Sequence, residues 1–251
     1  MFTIPIGFLG NSLSTFAVNT ATLNGTSQKF TYATGTSQGK ADYSVSMRFK
    51  VADVTVGAPE MRMFNEIATS STQFTVTYGS SLTGLTDGKI SVGVRSSGGT
   101  FLQTSSTFTP VVDTWYDMTV VCSGGTTVKI YVDGALDTTN AVAYTTIGNA
   151  ATNSHIIGGF NSSLFFDGDI AFVMPHDAAL DLAEVQSLSS DSKPKCWDIL
   201  PSGIQANALA FWDLANWTGH TGQEIIDQAG SNDLTNVGST PFTGTGLTVD
   251  C

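Results

Sequence analysis

The sequence predicts an all-β chain built from antiparallel hairpins with one short helix, and three observations carry that reading. Ser and Thr make up about a quarter of the 251 residues, 26 are Gly and only 12% are charged, a composition suited to strands and turns and poor in helix formers. Apolar and polar residues alternate from Tyr43 to Val51, with Tyr43, Val45, Met47, Phe49 and Val51 on one face and Ser44, Ser46, Arg48 and Lys50 on the other. Asp133-Gly134 divides two further alternating runs and supplies the positive φ that a two-residue hairpin turn needs.

In chain order, the first strands are expected around Leu23-Asn-Gly-Thr26 and over Tyr43–Lys50. Ile90, Val92 and Val94, with Ser91 and Gly93 between them, repeat the two-residue period. Asp117-Met-Thr-Val-Val-Cys122, a Ser-Gly-Gly break, Thr127–Val132 and Ala135–Asp137 read as consecutive hairpin strands. Ser154–Gly158 and then Phe165-Phe-Asp-Gly168 before Asp169–Val173 read as strand, turn, strand, so Asp167-Gly168 is expected in a turn. The period then changes: Asp181 and Glu184 fit a capping box, Leu180 and Val185 a hydrophobic staple, and a short helix follows. Ser189-Ser-Asp-Ser-Lys-Pro194 ends it. Beyond, Ala208–Leu214 has strand composition, while Thr218–Gly222 and Gly244–Gly246 are turn-like.

The phrases Trp115-Tyr-Asp-Met-Thr-Val, Lys129-Ile-Tyr-Val-Asp-Gly134, Phe166-Asp-Gly-Asp-Ile-Ala-Phe172 and Ala179-Leu-Asp-Leu-Ala-Glu-Val185, in this order, resemble the laminin-G-like and pentraxin-like branch of the concanavalin A-like jelly rolls. The likeness covers roughly residues 10 to 190. It implies a two-sheet antiparallel jelly-roll sandwich over residues 1–190, of a kind that hosts lectins, adhesive modules and hydrolases alike. Residues 191–251 then form a C-terminal segment that returns a strand to the sandwich or packs on a neighbouring subunit. Within it, Asp227-Gln-Ala-Gly-Ser-Asn-Asp-Leu234 resembles a phrase that accompanies such modules, and Trp197, Phe211, Trp212 and Trp217 are expected in the core.

A net charge of −11, with ten scattered basic residues, argues against nucleic acid. No stretch approaches the ~20 apolar residues of a membrane span. Met1–Gly10 lacks a basic n-region and a long apolar core, so the chain reads as a whole gene product without a secretory signal. A lectin-like sandwich made without such a signal fits a virion protein of a tailed bacteriophage, assembled in the host and exposed after lysis. The expected role is head decoration or tail-associated adhesion, in a symmetric homo-oligomer with other virion proteins as partners. The alternative is an extracellular, secreted carbohydrate-binding module; a glycoside hydrolase or lyase is a remote third.

Catalytic signals are weak. Glycosidases of this fold use two carboxylates across the scissile bond, but Glu60 and Glu66 are six residues apart and expected on one strand face, about 20 Å apart at ~3.3 Å per residue. No Gly-x-Ser-x-Gly elbow occurs, and His155, His176 and His220 have no partner pattern. The chain is therefore expected not to be an enzyme. No cofactor is required by any motif; the resemblance leaves calcium open, with Asn24, Asp42, Asp167 and Asp169 as the oxygen donors to test and plain turn aspartates as the competing reading. Glycans would sit on a loop rim around Asn153, His155 and Asn161, with Tyr78 or Tyr144 as platform if the strand order brings one near; flat protein contact is the competing use. Cys122 reads as a small buried hydrophobe, and Cys196 and Cys251 as a disulfide closing the C-terminal segment or as two free thiols.

Overall fold

The computed structural model describes residues 16–53, 60–68, 71–79, 88–148, 150–189, 197–215, 224–238 and 242–249. The strands are β1 (Phe16–Asn24), β2 (Lys29–Tyr32), β3 (Tyr43–Val51), β4 (Met61–Ala68), β5 (Ser71–Tyr78), β6 (Ile90–Arg95), β7 (Phe101–Ser105), β8 (Trp115–Ser123), β9 (Thr127–Val132), β10 (Ala135–Ala141), β11 (Ser154–Ile157), β12 (Asp167–His176), β13 (Trp212–Asp213), β14 (Glu224–Ile225), β15 (Leu234–Val237) and β16 (Phe242–Val249). The helices are α1 (Leu182–Ser189) and α2 (Ser202–Asn207), with a 3-10 turn at Trp197–Ile199. One sheet runs β10-β9-β8-β3-β12-β1-β16, with β13 on β12; the other runs β14-β15-β2-β11-β4-β5-β6-β7. Every strand pair among the described residues is antiparallel. The two-sheet sandwich is the one the sequence predicts.

The alternation in β3 explains how the layers close. Tyr43, Val45, Met47, Phe49 and Val51 are all fully buried in the core between the sheets, where the Tyr43 ring meets Phe74 of β5 edge-on at 5.2 Å. Ile90, Val92 and Val94 of β6 enter the same core. The opposite face of β3 is buried too, but by polar pairing. The Ser44 hydroxyl donates to the Ala178 carbonyl and accepts the Leu180 N–H, the Ser46 and Thr119 hydroxyls meet at 3.0 Å, and Arg48 and Lys50 form ion pairs with Asp117 (3.2 Å) and Asp169 (2.8 Å). On neighbouring strands this outer face carries Val121, Tyr131, Phe172 and Met174, which pack under Leu180, Val185, Leu188, Leu200, Ile204 and Phe211 to form a second apolar cluster.

The local signals were of unequal reach. Asp133 and Gly134 take φ of 48° and 74° between β9 and β10, as the hairpin turn requires. At α1 the Asp181 carboxylate accepts the Glu184 N–H and the Glu184 carboxylate accepts the Asp181 N–H, both at 2.9 Å, while Leu180 and Val185 are buried. The second helix, α2, follows Pro201 without a side-chain cap, so the sequence held no capping signature for it. Asp167-Gly168, expected in a turn, instead opens β12: Gly168 pairs with Leu23 and Val51 inside the sheet. Its φ of 149° and the close Lys50 carbonyl, which a Cβ would strike, explain the glycine without any turn. Glu60 and Glu66 also depart from expectation. A bulge between Arg62 and Phe64 places Arg62 opposite Thr77 and Phe64 opposite Val76. Glu66 therefore shares the interior face with Phe64, whereas Glu60 pairs with Arg62 at 2.8 Å on the other face.

The segment from residue 197 onward is woven into both layers. Its first part, with α2 and Phe211, covers the outer apolar cluster; β13 and β16 join one sheet, and β14 and β15 join the other beside β2. Trp212 is fully buried, with its indole N–H donating to the Asn232 carbonyl at 2.7 Å. Trp197 is half-buried against Phe211 at 5.9 Å. Cys122 is a free thiol buried in the core. Cys196, Cys251, Trp217, His220 and the stretch 218–222 lie outside the described residues. Among the described residues no helix is long and apolar enough to cross a membrane.

Two outcomes follow. Gly168→Ala is expected to lose about 2 kcal/mol or more in urea unfolding, because an L-residue adopts that backbone poorly and its Cβ has no room. His176 is fully buried opposite Ser44, and neither ring nitrogen has a hydrogen-bond partner among the described residues; burial holds its pKa down to about 3 from 6.5. The unfolded chain therefore binds a proton that the folded chain refuses. Stability is fully present above pH 6.5 and is lost at about 1.4 kcal/mol per pH unit as pH falls toward 3. Unfolding free energies should drop by about 2 kcal/mol between pH 7 and pH 5 from this group alone, and His176→Phe should remove that part of the slope.

Candidate functional site

Three buried side chains fix a set of surface loops at the end of the sandwich where β2 leads toward β3. Glu66 of β4 is fully buried; its Oε1 accepts the Tyr32 hydroxyl (2.9 Å), the Thr36 N–H (2.6 Å) and the Thr36 hydroxyl (2.9 Å), and its Oε2 accepts the Ser37 N–H (3.0 Å) and the Ser37 hydroxyl. Burial first, and the Glu66 charge second, push the Tyr32 and Tyr43 phenols well above their usual range. His155 lies opposite Glu66 on β11; its Nδ1–H donates to the Tyr32 carbonyl (3.0 Å) and its Nε2 pairs with the Thr152 hydroxyl (2.9 Å). Gly35 lies so close to Thr152 and His155 that a Cβ would strike them. These contacts join loop 33–40 to loop 150–153.

Asp227 does the same for the loop between β14 and β15. Its Oδ1 accepts the N–H groups of Phe211 and Ala229, both at 2.9 Å, and its Oδ2 accepts the Asn232 N–H at 3.1 Å, while its own N–H donates to Asp233 at 2.8 Å. The two loops are then clamped to each other. The Thr34 N–H donates to the Asn232 Oδ1 (3.0 Å) and the Asn232 Nδ2 donates to the Thr34 carbonyl (2.7 Å). Two grooves adjoin the clamp, one of about 370 Å³ lined by Thr31, Glu224, Asp233 and Thr235, and one of about 390 Å³ lined by Thr34, Gln38, Lys40 and Asn232; Ser231 lines both. Thr34, Gln38, Glu224, Ser231 and Thr235 are exposed. The result is a pre-shaped rim of hydroxyl, amide and carboxylate groups.

The rim residues expected from the sequence are split. Asn153 and Asn161 are exposed and lie close together, because the Ser154 hydroxyl between them donates to the Asn161 Oδ1 at 3.4 Å. His155 is 5% exposed and faces inward, since β11 puts it on the Glu66 side of the sheet, so it supports the rim from beneath. Tyr78 and Tyr144 are core residues and offer no platform; the Tyr144 hydroxyl donates to the Ala41 carbonyl. Thr34, Ser231 and Asn232 were missed. The Asp227–Leu234 phrase marked their loop, but nothing in the sequence announced its pairing with residues almost 200 positions earlier.

Three of the four calcium candidates, Asn24, Asp167 and Asp169, lie together at one end of β3, and Asp42 does not join them. Asn24 and Asp167 are cross-strand partners at one end of β3, while Asp42 precedes β3 at the other end and accepts the Gly124 N–H. The Asn24 Oδ1 accepts the N–H groups of Thr26, Ser27 and Gln28, and Asp169 is bonded to Lys50 and Thr22. Partial burial, then Asp53 and Asp169, raise the Asp167 pKa, the direction of unrelieved crowding. Among the described residues no three His, Cys, Asp or Glu side chains form a group that could hold a metal ion.

The carboxylates of the glutamates are likewise dispersed: Glu66 is in the interior, Glu60 pairs with Arg62, Glu184 caps α1, and Glu224 stands at the rim groove.

No curated protein matches the chain in sequence. Among solved structures, a Bacteroides ovatus protein provisionally named as carbohydrate binding superposes with a TM-score of 0.63 at 13% identity, over 90% of this chain and 61% of that one. The native heptameric SAP-like pentraxin from Limulus polyphemus superposes with a TM-score of 0.54 at 14% identity, over 90% of this chain and 96% of its own. This chain therefore spans 61% of the Bacteroides ovatus protein's length. At such identities the likeness concerns the fold. The sequence itself matches the profile described as Concanavalin A-like lectin/glucanases superfamily over residues 24–186, from the last residue of β1 to the middle of α1. With its two antiparallel sheets and its profile agreeing over most of the sandwich, the chain belongs to the concanavalin A-like lectin/glucanases superfamily.

Proposed function

We propose that this protein is a non-catalytic, lectin-like carbohydrate-binding module whose ligand lies on the rim around Thr34, Ser231 and Asn232. The observation that carries the reading is the reciprocal Thr34–Asn232 clamp, with both of its loops fixed from below by Glu66 and Asp227. Loops fixed before a ligand arrives lose little entropy on binding it, and a weak polar ligand such as a sugar needs that saving. The exposed groups are hydroxyls, an amide and the Glu224 carboxylate, all of which exchange hydrogen bonds with sugar hydroxyls. Superfamily membership and the naming of the Bacteroides ovatus protein lend support. Binding is proposed to be independent of calcium, because among the described residues no three His, Cys, Asp or Glu side chains form a group that could hold a metal ion.

A virion location is a separate proposal. Mass spectrometry of purified particles tests it, and absence of the chain from them overturns it.

Glycan-array retention followed by calorimetry tests the main reading. Wild type should retain at least one glycan class in EDTA as well as in calcium, and Asn232→Ala should weaken retention at least tenfold while circular dichroism stays unchanged. Loss of retention in EDTA would overturn the calcium-independent reading. Release of reducing ends from a retained glycan, abolished in Glu224→Gln, would overturn the non-catalytic one.

A further inference from the structure

The two grooves beside the clamp differ in chemistry yet share a wall. The smaller is lined by Thr31 of β2, Thr235 of β15, Glu224 and Asp233, with no Lys or Arg among the described lining residues. The larger contains Lys40, but the ammonium is paired with Asp177 at 2.6 Å. An acidic sugar would therefore meet two like charges in one groove and an already neutralised cation in the other. Like charges opposed at close range cost several kcal/mol in an interface. The chain as a whole, at −11, repels polyanions as well.

Ser231 lines both grooves; the clamp residues Thr34 and Asn232 line the larger one, and their chain neighbours Ala33 and Asp233 line the smaller. The Asn232 amide donates an N–H to the Thr34 carbonyl and accepts the Thr34 N–H on its Oδ1, so the two loops beside the grooves are held in fixed register. Each groove is near the lower end of the size range of small-molecule sites. We propose, building on the glycan-binding reading above, that the ligand is a neutral linear oligosaccharide of at least three units lying over Ser231 beside the Thr34–Asn232 clamp, with sugars in both grooves at once. A terminal monosaccharide fills one groove and gains nothing from the second. For a chain, the second groove acts at high effective concentration once the first is filled.

Calorimetry with xylan-, mannan- and β-glucan-derived oligosaccharides of one to six units, and with oligogalacturonate as the acidic counterpart, tests this. Affinity for the retained neutral series should rise at least tenfold from one unit to three and then level off, and oligogalacturonate should not bind. Ser231→Trp, a substitution at an exposed position that lines both grooves, should weaken trisaccharide affinity at least tenfold; Gln38→Ala, in the larger groove alone, should lower trisaccharide affinity and flatten the length dependence. Equal affinity for one and three units, or oligogalacturonate bound as tightly as the neutral series, overturns the proposal and leaves glycan binding standing. Absence of binding by every neutral oligosaccharide, with folded protein confirmed by circular dichroism, overturns both.

Discussion

A single buried carboxylate sets the geometry of the rim. Glu66 enters the sandwich interior because a bulge in β4 shifts the strand's faces, and a charge placed there costs several kcal/mol unless hydrogen bonds replace the lost water. Five donors do so, and two of them are consecutive backbone N–H groups, of Thr36 and Ser37. A loop that must present two amides and two hydroxyls to one carboxylate has little conformational choice. Thr34 is thereby placed where Asn232 can grip its backbone on both sides, and the order imposed in the core passes to the surface.

The sequence made the regular parts of this arrangement readable. Alternation in β3, the Asp133-Gly134 turn and the Asp181–Glu184 box are signals in which the neighbours along the chain decide the structure, and all three appear as read. Where long-range pairing decides, the reading failed. Nothing local distinguishes the Asp-Gly of the hairpin from Asp167-Gly168, which is drawn into β12 by partners on β1 and β3. Nor could spacing foresee a bulge that turns Glu66 inward while Glu60 stays outside. The candidate site was the least legible part, because Thr34 and Asn232 are common turn residues whose meaning comes only from their meeting. Asn153 and Asn161 were within reach of a loop-by-loop reading; His155 was not, since its face depended on the register of β11 with β4.

Both faces of the β3 sheet are covered, one by the opposing sheet and the other by α1, α2 and Phe211. This explains why polar residues on β3 are buried yet tolerated: Ser44, Ser46 and Arg48 have hydrogen-bonded or ionic partners on neighbouring elements, and Lys50 reaches Asp169 at the edge of the covered area.

The pairing of β16 with β1 has a consequence for how the molecule comes into being. Phe16 is opposite Val249, so two strands from nearly opposite ends of the described chain lie side by side, and β14 and β15 complete the other sheet equally late. Contacts of such sequence separation make folding slow. During synthesis the growing chain would hold open edges beside β1 and β2 until the last strands emerge from the ribosome, an interval in which unpaired edges invite other chains. The same late strands that build the rim therefore determine when the nascent protein stops being vulnerable to aggregation.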